Sequence, residues 1–152
     1  MSPSPNRYHQ DIVLNVAVAL KDYVRQTRAG HIYVAPSDVV FTDEHVLHPD
    51  IYFVSAERAS ILTPQGAQGA PDLVVEILSP GTARLDLGRK REIYAESGVL
   101  EFWAVSPPGR TVEIYRFRES PSAPVQVLKG GDAVTTPLLP GFSLSLSAVF
   151  ES

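Results

Sequence analysis

The sequence contains no cysteine. A disulfide framework, thiolate catalysis and zinc sites built on Cys are therefore excluded. No apolar run approaches the roughly 18 residues of a membrane span. The first residues, Met-Ser-Pro-Ser-Pro-Asn-Arg-Tyr-His, lack the basic-then-apolar order of a secretory signal. A cytoplasmic protein with no membrane partner is the expectation. An excess of positive charge is also missing: 13 Lys and Arg stand against 17 Asp and Glu, a net charge of −4, with a pI near 5.5. Proteins that coat nucleic acid non-specifically are usually basic, so any contact with DNA must be local. There is no internal repeat at periods of about 20 to 50 residues. No P-loop, Rossmann glycine fingerprint or Ser-His-Asp constellation is present.

What remains is an ordinary globular composition. The 152 residues are 44% hydrophobic and 20% charged, enough for one domain over 1–152 with its own core. The 13 prolines and 10 glycines predict few long helices. After a Pro- and Ser-rich lead at 1–8, Ile12, Val13, Val16, Leu20, Tyr23 and Val24 recur at helical spacing, predicting a helix from His9 to about Thr27 that stops at Gly30. Short strands are expected at 32–35, 39–41 and 51–55, with a helical turn or loop at 56–62. Residues 64–71, with two Gly and two Gln, read as a mobile loop and candidate lid. Leu73 to Leu78 reads as a central strand covered on both faces. A helix over 86–97 ending at Gly98 follows, then strands at 101–105, 111–118 and 125–128, and a tail with one brief helical turn. The order predicts an α/β or α+β domain with a central mixed sheet flanked by helices.

Three residues break these patterns. Glu76 lies inside Leu73-Val74-Val75-Glu76-Ile77-Leu78, on the strand face of Val74 and Leu78. A buried carboxylate is costly unless paired, hydrogen-bonded or metal-bound. It reads either as a structural acid or as part of a site. Asp50, in His48-Pro49-Asp50-Ile51-Tyr52, opens a β-rich run; alone it reads as a turn residue. Lys90 projects onto the inward arc of its helix, between Tyr94 and Ile93. Its stem either snorkels to solvent or brings an ammonium to an acid inside. Taken together, two carboxylates on neighbouring strands can hold one hard divalent cation with oxygen ligands. The carbonyl of Ile77 is a further candidate ligand. Such an ion lowers the pKa of a water and neutralises phosphate charge, and a nearby lysine can orient the nucleophile or stabilise the transition state.

These residues resemble the PD-(D/E)XK nuclease signature, with Pro49-Asp50 as one half and Glu76-Ile77-Leu78 as the other. More closely, the chain resembles the Uma2 family (domain of unknown function 820). The likeness rests on His48-Pro49-Asp50, on Pro71-Asp72-Leu73-Val74-Val75-Glu76-Ile77-Leu78-Ser79-Pro80-Gly81-Thr82, on Asp86 through Lys90 to Tyr94, on Gly98-Val99-Leu100-Glu101-Phe102-Trp103, and on Leu139-Pro140-Gly141. It covers nearly the whole chain. It implies a restriction-endonuclease-like fold and a Mg²⁺- or Mn²⁺-dependent endonuclease acting on DNA. Asp50, Glu76 and the Ile77 carbonyl would bind the metal, and Lys90 would assist the chemistry. Position 78 is Leu where the general nuclease pattern has Lys; the family resemblance puts that lysine at Lys90. Family members commonly carry an N-terminal strand pair ahead of the Ser-Pro-Ser-Pro segment, which the sequence does not contain.

His9, which matches a family His, Asp72 and Tyr94 are supporting candidates. Asp72 shares the face of Glu76 about 13 Å along the strand; it reads as strand entry, with a lesser role in the site. Arg84, Arg89 and Arg91 are candidate phosphate contacts, although such a run is usually a solvated helix face. Ser79 and Thr82 read as turn and cap residues, and Trp103 as core. Cutting both strands would take a homodimer or a higher homo-oligomer, which exposed β-edges could support. Two other classes stay open: a non-catalytic binding module on a nuclease scaffold, and a metal-dependent hydrolase of small phosphate esters.

Overall fold

The computed structural model describes residues 6–42, 45–79 and 83–152, the side chains of 83–85 excepted. The roles read for Thr82 and for the Arg84 side chain therefore lie outside the described residues.

Helix α1 (Arg7–Thr27) forms where an apolar stripe meets good capping. The Asn6 carboxamide oxygen accepts the His9 N–H at 2.8 Å, satisfying one of the first turn's free donors. The helix buries Ile12, Val16, Leu20 and Val24, each worth about 1.5–3 kcal/mol on removal from water. The stop is not Gly30. Arg28 takes the left-handed conformation (φ 58°) and returns its N–H to the Val24 carbonyl. Gly30 instead opens β1, where a Cβ would stand 2.2 Å from the Val54 carbonyl oxygen.

Strands β1 (Gly30–Val34), β2 (Asp38–Thr42), β3 (His45–Leu47) and β4 (Ile51–Ser55) follow, then a 3₁₀ turn (Ala56–Ile61), β5 (Leu62–Thr63), β6 (Gly66–Gln68) and β7 (Leu73–Ile77). Helix α2 (Ala83–Ser97) leads to β8 (Glu101–Ser106), β9 (Thr111–Arg116), β10 (Gln126–Leu128), β11 (Ala133–Val134), β12 (Leu144–Ser145) and α3 (Leu146–Val149). The main sheet has six strands in the order β1-β4-β7-β8-β9-β10. Only β7 and β8 in it run parallel, and α2 makes the crossover between them. The expected mixed sheet flanked by helices is what forms.

Alternation along β7 sorts the two cores. Leu73, Val75 and Ile77 join α1, Trp103, Phe142 and Phe150 on one face. Val74 joins Tyr52, Tyr94, Phe102 and Tyr115 on the other. Because both faces are covered, every residue of β7 is buried, as its unbroken apolar run required.

The segment 64–71 is not a lid. Its Gly66–Gln68 pairs with β2 in parallel and with β5 in a second sheet, ordered β3-β2-β6-β5. A Cβ at Gly66 would stand 2.0 Å from the Asp38 carbonyl oxygen, so the glycine there permits close strand approach rather than motion. Helix α2 also begins three residues earlier than its apolar pattern suggests.

Candidate active site

The register of β4 on β7 sets the site. Ile51 pairs with Val75, which brings the preceding Asp50 beside Glu76. The Asp50 carboxylate accepts the Ile77 N–H at Oδ2, 2.8 Å, and the Asp50 N–H donates to Glu76 Oε1 at 3.3 Å. Each acid is thus held by a backbone N–H of the other's strand, at one end of the paired strands.

Helix α2 delivers the rest. Tyr94 and Lys90 stand one turn apart and both reach Glu76 Oε2. The Tyr94 hydroxyl donates at 2.5 Å, and the Lys90 ammonium stands 3.6 Å away. Lys90 is also 3.6 Å from Asp86 Oδ2. Both ion-pair distances exceed the ~2.8 Å of a tight charge-assisted hydrogen bond. From α1, His9 Nε2 lies 3.2 Å from the Ile77 carbonyl oxygen and 3.7 Å from Asp50 Oδ2. His9, Asp50, Glu76, Ile77, Asp86 and Lys90 line one cavity of about 140 Å³. Asp50, Glu76, Lys90, Ile77, His9 and Tyr94, each singled out from sequence, converge here.

The charges are unevenly matched. Burial pushes the Glu76 carboxyl up to about 7; the Lys90 ammonium opposes this, and the Asp50 carboxylate adds to it. For Lys90, burial works downward, but Glu76, Asp86 and Asp50 outweigh it and raise its pKa. Asp50 likewise raises His9 against the pull of burial. Burial, reinforced by Glu76, drives Tyr94 well above the ordinary phenol range, so it stays a donor.

Other candidates fall elsewhere. Asp72 sits at the opposite end of β7. Its carboxylate accepts the Ser55 N–H and pairs with Arg58 at 3.0 Å, which accounts for its burial without a role at the cavity. Arg91 donates to the Pro121 carbonyl at 2.9 Å, and Arg89 is exposed on the outer face of α2. Trp103 is core, its indole N–H donated to buried Glu101. The sequence reading missed Asp86 as a cavity residue. Its signal was present as an acid one helical turn before Lys90. His48, 2.8 Å from Asp38, also lines the cavity.

Among the described residues, no group of three or more His, Asp or Glu side chains forms a metal cage. The donor set fits a smaller demand. Two carboxylates and the Ile77 carbonyl are hard oxygen donors, suited to a cation that retains several waters. The buried Glu76 carboxylate is undercompensated by Lys90 alone, as its raised pKa records.

The fold is that of a solved nuclease-like structure. A crystal structure described as a "putative nuclease belonging to DUF820", from Anabaena variabilis ATCC 29413, superposes with a TM-score of 0.82 at 23% identity, covering 99% of this chain and 84% of that one. At that identity the likeness shows the fold alone. The sequence itself matches the Uma2 family model, described as "Putative restriction endonuclease", over residues 1–147. The chain belongs to the Uma2 family. No functionally curated protein matches it.

Proposed function

We propose that the protein is a Mg²⁺- or Mn²⁺-dependent endonuclease that hydrolyses DNA phosphodiester bonds, of the PD-(D/E)XK type. Asp50, Glu76 and the Ile77 carbonyl would hold the ion. When bound, the ion supplies charge neutralisation at the phosphate and a lowered pKa for the attacking water. The observation that carries the reading is the Lys90 ammonium standing 3.6 Å from Glu76 in a cavity that also holds Asp50. A lysine so placed can orient the attacking water, or neutralise charge on the pentavalent phosphate. Its loose contacts with two acids leave it free to turn toward a substrate. Tyr94 keeps Glu76 in place through its hydroxyl, and His9 braces the Ile77 carbonyl and Asp50. Membership in a family described as "Putative restriction endonuclease" supports the same reading.

One domain presents one such cavity, so double-strand scission takes a homodimer or larger homo-oligomer. The edge strands β1 and β10 are available for that contact. The proposed place of action is the cytoplasm.

The test is nicking of supercoiled plasmid with Mg²⁺, Mn²⁺ or EDTA, beside Glu76→Ala and Lys90→Ala. Metal-dependent nicking that both substitutions abolish establishes the nuclease and its site. A folded wild type that nicks with neither metal refutes it.

A further inference from the structure

The cavity of the candidate site is the first of three that adjoin one another through shared lining residues. It shares His9 and Leu78 with a second cavity of about 190 Å³, floored by Tyr8, Pro107 and Pro108. That cavity in turn shares Tyr8, Pro107 and Pro108 with a third, about 570 Å³ and more open, where Arg7 and Arg110 stand. The order outward is therefore acidic site, aromatic and proline floor, then two guanidinium groups.

We infer that these three cavities form one channel that seats a single strand of nucleic acid running away from the scissile phosphate, with Tyr8 under a base and Arg7 and Arg110 on a phosphate further along. The inference rests on the nuclease reading above and names the path of its substrate.

Two further features support it. Among the described residues, neither Arg7 nor Arg110 forms an ion pair, although Asp11 borders the same basin. Two arginines outside any such ion pair thus stand together at this basin of an acidic protein. Arg110 also occupies a left-handed backbone conformation (φ 50°), where Gly or Asn would be the usual residue. It ends the Pro107-Pro108-Gly109 turn, its N–H bonded to the Pro107 carbonyl, and its guanidinium lies 5.5 Å over the buried Phe150 ring. The turn thus holds a cation at a set point rather than on a free stem. The Tyr8 ring is fixed as well, its hydroxyl donating to the Phe150 carbonyl at 3.1 Å. Aromatic platforms followed by basic contacts are how proteins track one strand without reading sequence.

The experiment compares wild type with Arg7→Glu, Arg110→Glu, Arg110→Lys and, as a control for net charge, Arg25→Glu at the far end of α1. Two substrates are used with Mn²⁺: fluorescein-labelled oligothymidylate, and thymidine 5′-(p-nitrophenyl phosphate), which carries the scissile phosphate but no further phosphate for the arginines to hold. The expected result is a fall of about tenfold in the ratio of the two kcat/KM values for each channel reversal, carried mainly by the oligonucleotide's KM. Arg110→Lys restores most of the ratio, and Arg25→Glu leaves it near wild type. The salt slope of oligonucleotide binding shallows by about one for each arginine removed. A ratio unmoved by Arg7→Glu and Arg110→Glu, or moved equally by Arg25→Glu, overturns the channel. If wild type hydrolyses neither substrate, the nuclease reading fails on its own. The channel is then judged by fluorescence anisotropy of the same oligonucleotide in EDTA. A selective affinity loss in the channel variants sustains it, and equal affinity overturns it.

Discussion

Replacing Glu76 by Gln should make the metal-free protein more stable at alkaline pH while disabling the site. The folded carboxyl sits at about 7, above the ordinary 4.5. Between those values the folded chain holds more protons than the unfolded one, so stability falls as pH rises. The stabilising contribution of the protonated acid is complete below 4.5 and is lost as pH passes through about 7. A difference of about 2.5 units corresponds to on the order of 3 kcal/mol, most of it lost between about pH 5 and 8. Gln has the same shape, still accepts the Tyr94 hydroxyl and carries no charge to bury. It forfeits the Lys90 ion pair, which returns part of the gain because Lys90 keeps Asp86. The net expectation is a variant about 2 kcal/mol more stable than wild type at pH 8 in EDTA, or about 4–8 °C in Tm for a domain of this size, with a much smaller gap at pH 5. Thermal and urea unfolding at both pH values provide the measurement. A variant no more stable than wild type at pH 8, or a gap that does not change with pH, would refute the account of Glu76 as an undercompensated buried charge.

The same logic governs the neighbours. Lys90→Met should destabilise the protein at pH 8 by about 1–3 kcal/mol, leaving a buried carboxylate without its cation, and should cost little at pH 5; urea unfolding at the two pH values checks this. Mn²⁺ binding, followed by calorimetry in two buffers of different ionisation heat, should release close to one proton per ion at pH 6 and fewer at pH 8, since the ligand must ionise first. Tyr94→Phe removes the shortest donor to Glu76 and should shift the midpoint of Mn²⁺ binding to higher pH. Away from the site, Glu101→Ala should cost about 3–5 kcal/mol. It strips Arg116, Trp103 and Thr136 of a buried common acceptor, and a drop in Tm with no change in the pH profile of metal binding would identify it as structural.

The sequence disclosed the site more fully than the fold around it. Glu76 was conspicuous because a charge interrupted a run otherwise apolar on both faces, and Lys90 because a cation fell on the inward arc of a helix. Each was a local conflict between residue type and pattern, and the structure resolves both by setting the two side chains against each other. Asp50 was the weaker local signal, a turn residue taken alone; it stood out beside Glu76 and Lys90 and through Pro49-Asp50, and the β4–β7 register that sets it against Glu76 is non-local. The second sheet was legible only in its strand at 39–41. Its strands are two to five residues long, too short for a periodic signal, and united by a parallel pairing between β2 and β6 that periodicity cannot announce. Gly66 was read as a source of flexibility, when its lack of a side chain is what lets two backbones close up. Asp72 illustrates the converse: it shares a face with Glu76 but stands at the entry of the strand, where Arg58, 14 residues earlier in the chain, claims it.

Helix α1 and the segment from Leu139 to Glu151, far apart in the order a ribosome makes them, depend on one another. Helix α1 is synthesised first, yet its buried stripe is covered in part by Leu139, Phe142, Leu146 and Phe150, and Asn15 donates to the carbonyls of Val149 and Glu151 at 3.0 and 2.6 Å. Its apolar face cannot be fully shielded until about residue 150 has emerged. During translation α1 must therefore wait, exposed or held by a chaperone, while the strands between are made. A ribosome stalled short of residue 139 would carry a nascent chain open to proteases and chaperones, without the layer that seals the core behind β7.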